Sequence, residues 1–105
     1  MSKIIAIDID NTLFKTDWPD ILEPIWEVIE RAKEEQRNGA KLILWTCRCD
    51  KYLDEAVEAC RAFGLIFDAV NENLPEIIEM FDGSESRKVS ANEYWDDLSW
   101  NPTRI

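Results

Sequence analysis

Residues 3–12 read KIIAIDIDNT, and this stretch decides the fold. From Lys3 to Ile9 the chain is almost continuously apolar over the length of one strand. That is the pattern of a strand covered on both faces, as in a parallel sheet packed between helices. Asp8 and Asp10 stand two apart at the mouth of this strand. Like charges ~4 Å apart repel by about 4 kcal/mol at an effective dielectric of 20. A cation, a proton or exposure to water must offset that repulsion.

Downstream the same logic repeats. Residues 11–20 (NTLFKTDWPD) read as a loop. Apolar residues at 25, 28, 29 and 32 mark a helix from Pro24 to about Arg37, with Pro24 suited to its first turn and Asn38-Gly39 to its stop. AKLILWT (40–46) is a second buried strand. Asp50 is placed to cap the next helix, whose inner face is Leu53, Ala56, Val57, Cys60 and Phe63, and Gly64 ends it. IFDAV (66–70) is a third strand, LPEIIEMF (74–81) a short helix, and EYWDD (93–97) a fourth strand. Strands alternating with helices predict an α/β fold: a small Rossmann-like three-layer sandwich. Right-handed crossovers and short connections give the mainly parallel sheet the strand order 3-2-1-4. With 105 residues and no linker or repeat, residues 1–105 are expected to form a single domain.

Composition narrows the chemistry. The net charge of −10 argues against broad nucleic-acid binding, which depends on Lys and Arg along phosphates. There are no histidines, which rules out Ser-His-Asp and Cys-His mechanisms and any His-ligated metal. No apolar run approaches a membrane span and the N-terminus lacks a signal-peptide profile, so no membrane partner is expected. The three cysteines (Cys47, Cys49, Cys60) are an odd number without disulfide-framework spacing, and a reducing cytoplasm is the expected compartment. Cys47 and Cys49 flank Arg48 without further ligands at zinc spacing, so they read as ordinary thiols.

Ligands of open α/β sheets bind beyond the carboxyl ends of the strands, where the order reverses. The polar residues at those ends are Asp8, Asp10, Thr46, Asp96 and Asp97. Singly, each is an ordinary turn or surface residue. Together they converge four carboxylates, which calls for a divalent ion, and all-oxygen ligation points to Mg²⁺.

These residues resemble the haloacid dehalogenase-like hydrolases. DIDNT (8–12) is similar to the first, DxDxT signature of that family, and LILWT (42–46) to its apolar-run-then-Ser/Thr motif. Lys88 resembles its third motif and EYWDD its acidic fourth. LILWTCR and the closing YWDD look like a short, capless subgroup found in bacteria and phage. The resemblance implies a Mg²⁺-dependent phosphohydrolase acting on a phosphomonoester through an aspartyl-phosphate. Asp8 would be the nucleophile and a metal ligand. Asp10 would be general acid and then base, ligating through its carbonyl, and Asp96 and Asp97 would complete the metal site. Thr46 would hydrogen-bond the phosphoryl group and Lys88 would stabilise its charge. Beside the resemblance, Asn11 and Arg48 are candidates for contact with substrate or phosphate from their place in the loops at this sheet edge, where Arg48 reads equally well as surface charge. Asn11 stands where the family often has Gly, and Asn tolerates left-handed backbone.

A helix and a strand fill the segment between Asp10 and Thr46, so no cap domain is expected and the site should be open. Lys15 and Lys51 lie at the same sheet edge, and Trp18 is a candidate platform for a small phosphorylated substrate. Trp95 and Trp100 suggest a homo-oligomer whose second subunit covers the pocket. A straight strand from Lys88 to Asp96 would part them by roughly 26 Å, so SAN (90–92) must turn the chain back. Two rival readings remain open. One is a non-catalytic metal-binding protein that kept the fold. The other is a receiver-type phospho-acceptor domain, disfavoured because Asp68 falls within the third strand instead of after it.

Overall fold

The computed structural model describes residues 2–98; Trp100 lies outside them. Four strands form one parallel sheet: β1 (Ile4–Ile7), β4 (Lys41–Leu44), β5 (Ala69–Val70) and β6 (Glu93–Trp95). Their spatial order is β5-β4-β1-β6, the 3-2-1-4 arrangement expected from the crossover rules. The register aligns Ile7 with Leu44 on one side and Trp95 on the other.

The alternation of side chains along β1 splits the core in two. Ile5 and Ile7 face α1 (Trp26–Arg37) and α2 (Asp50–Ala62), meeting Ile29, Ala32, Ala56, Cys60, Leu42 and Leu44. Ile4 and Ala6 face the other way, with Ile43, Ala69, Leu74, Val89 and Ile77 of α3 (Pro75–Met80). The sheet is therefore the middle of three layers. Leu42 is fully buried on the α1/α2 side. Leu42→Ala is expected to cost about 2–5 kcal/mol by urea denaturation. Leu22→Ala, at a position 55% exposed, should change stability by less than about 0.5 kcal/mol.

Helix ends deliver the chain back to the sheet. α1 stops at Asn38 and Gly39, where Gly39 (φ +96°) and Ala40 donate to Gln36 and Glu35 carbonyls. α2 stops the same way: Gly64 (φ +84°) and Leu65 donate to Arg61 and Cys60. Both are Schellman closures, and both need a left-handed residue.

Three local expectations are corrected. The stretch 11–20, read as a loop, is largely part of a hairpin, β2 (Phe14–Asp17) against β3 (Asp20–Pro24), turning at Trp18-Pro19, whose peptide bond is cis. The pairing carries a register shift between Phe14 and Thr16, and no clean alternation of apolar residues announced it. Pro24 consequently ends β3 instead of starting α1; proline's missing N–H is tolerated at a strand end. Asp50 does not cap α2: Cys49, in extended backbone, precedes the helix, and Asp50 is its first residue. The acid still sits where the helix dipole favours it.

Candidate functional site

β1 ends in the crevice between its two neighbours. The Ile7 carbonyl accepts from Trp45 N on one side, and Asp8 N donates to the Trp95 carbonyl (2.9 Å) on the other. Register therefore puts Asp8 and Asp96 at the same level on adjacent strands, with Asp97 one residue beyond. Carboxylate oxygens of Asp8, Asp96 and Asp97 lie within 4.8 Å of one another. Burial pushes the Asp8 carboxyl up, a backbone hydrogen bond at Ile9 opposes this, and the charges of Asp96, Asp10 and Asp97 add to it; the pKa is raised to about 6. Asp97 is also raised, by burial and then by sharing a hydrogen bond with Asp96. Such crowding is relieved by a proton or a cation.

Asp10 is in a different environment. The Nε and Nη2 of Arg48 donate to its two oxygens at 3.0 and 2.8 Å. Burial would raise its carboxyl, but hydrogen bonds from Arg48 and Thr16 and the Arg48 charge outweigh that and hold it below its usual value. The Asp10 carboxylate is therefore engaged with Arg48, while the three-acid cluster is made by Asp8, Asp96 and Asp97.

The loop from Ile9 to Phe14 is one tight turn in which the N–H groups of Thr12, Leu13 and Phe14 all approach the Ile9 carbonyl at 3.2 Å. Asn11 occupies it with φ 58°, the left-handed backbone that Asn tolerates. Its Oδ1 accepts from Thr16 N (3.2 Å), which ties the turn to the hairpin. Thr12 is buried, and its hydroxyl has no partner among the described residues.

Thr46 leaves the carboxyl end of β4. Its N–H donates to Asn71 Oδ1 (2.8 Å), and its Oγ1 accepts from Arg48 N (3.1 Å), so the hydroxyl hydrogen remains to be donated elsewhere. Asn71, in left-handed backbone (φ 54°) just after β5, also reaches the Arg48 carbonyl through Nδ2. The sequence reading missed Asn71. Its one signal was an Asn directly after a short buried strand.

Arg48 was expected at the substrate. Its side chain is instead fully buried, with the guanidinium on Asp10 and on the Pro19 carbonyl. Lys15 pairs with Glu23 across the hairpin at 3.4 Å, and the ammonium of Lys51 lies over the Tyr52 ring. Trp18 is 60% exposed, packed between the Arg48 guanidinium and Tyr52. Trp95 is half-buried and packs against the α1/α2 core.

The chain does turn back before β6. The Tyr94 hydroxyl donates to the Val89 carbonyl and accepts from Ala91 N, folding residues 89–91 against the strand. Exposed Lys88 ends with its ammonium over the Tyr94 ring, 5.2 Å from the centroid, two residues from Asp96. Among the described residues it pairs with no carboxylate. Buried Asn73 organises this segment: its Oδ1 accepts from Ser90 N (2.6 Å) and its Nδ2 donates to Glu85 and Ser86. Asp68 lies just before β5, where its carboxylate accepts from Leu42 N. A groove of about 560 Å³ lined by Lys3, Ile4, Ile77, Phe81 and Asn92 opens at the amino ends of β1 and β6, away from all these residues.

Among solved structures, the chain is similar to a conserved protein of Bacteroides thetaiotaomicron. The two share 39% identity and superpose with a TM-score of 0.81, over 94% of this chain and 78% of that one. The chain belongs to the family of that protein. Similarity at this level over nearly the whole chain supports the small α/β sandwich described above. No family model and no curated protein matches the sequence. Among the described residues no helix is long and apolar enough to cross a membrane.

Proposed function

We propose that the chain is a haloacid dehalogenase-like phosphohydrolase that removes a phosphoryl group from a small phosphomonoester through an aspartyl-phosphate on Asp8. The observation that carries this reading is the clustering of Asp8, Asp96 and Asp97 at the carboxyl ends of two adjacent parallel strands. The donor set fits Mg²⁺. It is all oxygen, and ligands 2.0–2.1 Å from an octahedral ion span about 4 Å, close to the spread of these carboxylates. Asp8, Asp96 and Asp97 would hold the ion, together with the Asp10 carbonyl that the resemblance implies. When bound, it supplies the positive charge that neutralises the phosphoryl oxygens and the crowded acids.

The protein's own groups do the rest. Asp8 attacks phosphorus, splitting a difficult hydrolysis into two easier displacements. The Thr46 hydroxyl, its lone pair engaged by Arg48 N, donates to a phosphoryl oxygen. Lys88, whose ammonium lies over the Tyr94 ring, would add positive charge toward the phosphoryl group. Arg48 holds the Asp10 carboxylate ionised, which suits it to take a proton from the water that attacks the aspartyl-phosphate; assisting the leaving oxygen as an acid would require that hold to loosen. Asn11 shapes the turn between the two acids.

Phosphate release from a panel of phosphorylated metabolites, with and without Mg²⁺, tests the reading. At least one small phosphomonoester should be hydrolysed, and only with the metal. No release from any member would overturn it. Thr46→Ala is expected to lower kcat by about 10²-fold on the best substrate, through loss of one donor to the phosphoryl group.

A further inference from the structure

We propose that Arg48 is a positioning residue that joins the β2–β3 hairpin to Asp10, so that the place of the hairpin sets the orientation of the Asp10 carboxylate. The kinetic arm of the test rests on the proton-handling role given to Asp10 above; the spectroscopic arm does not.

The backbone of Arg48 is fixed at the carboxyl end of β4, its N–H on the Thr46 hydroxyl and its carbonyl on Asn71. From that anchor the guanidinium does three things at once. Nε and Nη2 grip both oxygens of Asp10, Nη1 donates to the Pro19 carbonyl at the hairpin turn (3.1 Å), and the flat face lies 4.7 Å from the Trp18 ring centroid. Trp18 in turn rests on Tyr52 of α2, with ring centroids 5.3 Å apart. A rigid planar fork satisfies these directions together only when Asp10 and the hairpin turn are both in place.

The burial of this group also needs a reason. Taking an ion pair out of water is costly, and an apolar pair of the same shape is often at least as stable. Here the partner is the second acid of the candidate site, and the other contacts all belong to a hairpin that rises beside it. A displacement of Trp18 or Pro19 must therefore move the guanidinium, and with it the carboxylate.

Trp18→Ala and Arg48→Lys separate this coupling from a merely structural role. Trp18 is exposed and its loss should leave the fold intact, whereas a lysine cannot hold Asp10 and Pro19 with one fork. The first readout is the ¹³Cγ resonance of Asp10 at fixed pH. The second is kcat and KM for p-nitrophenyl phosphate with Mg²⁺. Trp18→Ala should shift the Asp10 resonance and lower kcat by about tenfold, with KM unchanged within about twofold. Arg48→Lys should lower kcat by about 10²-fold, the effect of a small misplacement of a reacting group. The double variant should be no slower than Arg48→Lys, because the hairpin acts through Arg48. An unmoved Asp10 resonance in Trp18→Ala, or losses that multiply in the double variant, would overturn the proposal. If the wild-type protein hydrolyses no phosphoester, the proposed function fails and the resonance alone decides the coupling. If Arg48→Lys does not fold, the resonance in Trp18→Ala again decides.

Discussion

Asp8→Asn is expected to reduce Mg²⁺-dependent phosphate release by about 10⁴-fold or more, because an amide is neither anionic nor an adequate nucleophile. The same variant should be more stable than the wild type when no metal is present. Asp8 carries a carboxyl whose pKa burial and the neighbouring Asp96, Asp10 and Asp97 raise to about 6, so above that pH its charge opposes folding. Removing the charge removes the opposition. A melting temperature at pH 7.5 in EDTA that is higher than wild type, together with lost turnover, separates loss of the nucleophile from loss of the fold. A variant that melts lower and is inactive would point to a structural role for Asp8.

The second large effect is that of the metal. With the Asp8 pKa raised above its unfolded value, stability from this group is fully present below about pH 4 and is lost as pH rises through about 6. Asp97, also raised, acts in the same sense. The metal-free protein should thus weaken between pH 4 and 7, and Mg²⁺ should restore what the charges remove. Millimolar Mg²⁺ at about ten times its Kd should raise the melting temperature by about 5–10 °C at pH 7.5. At pH 4.5, where a proton occupies Asp8, the shift should nearly vanish. Differential scanning fluorimetry in EDTA and in Mg²⁺ across this range measures it. Superimposed curves at every pH would count against an acidic site that holds a cation.

Much of the frame was legible because it follows from burial. Continuous apolarity at 3–9 and 40–46 has one stable use in a chain this short, a sheet covered on both faces, and crossover handedness then leaves little choice of strand order. The grouping of Asp8 with Asp96 and Asp97 follows from parallel register at the carboxyl ends, which the same pattern implies. The hairpin at 14–24 was hidden because it covers one corner of the molecule. Its residues do not alternate, and the register shift between Phe14 and Thr16 breaks the period on which strand recognition relies. Arg48 was misplaced for a related reason. A lone arginine after a strand reads as surface charge, and nothing local reveals that Asp10, 38 residues away, will bury it. Asn71 and Asn73 act through long-range hydrogen bonds to Thr46 and Ser90 that leave no periodic trace.

Asp8 as the phosphorylated residue is the centre of the account, and Asp10→Asn is the means of trapping it. Without a base for the water, this variant should still accept phosphate from a substrate with a good leaving group, but the aspartyl-phosphate should persist. Acid quenching after a single turnover, followed by peptide mass spectrometry, should find a phosphoryl group on Asp8 in Asp10→Asn and none when Asp8→Asn is added. Phosphate on Asp96 or Thr46, or an unmodified Asp8 while the wild-type protein turns over, would contradict the account.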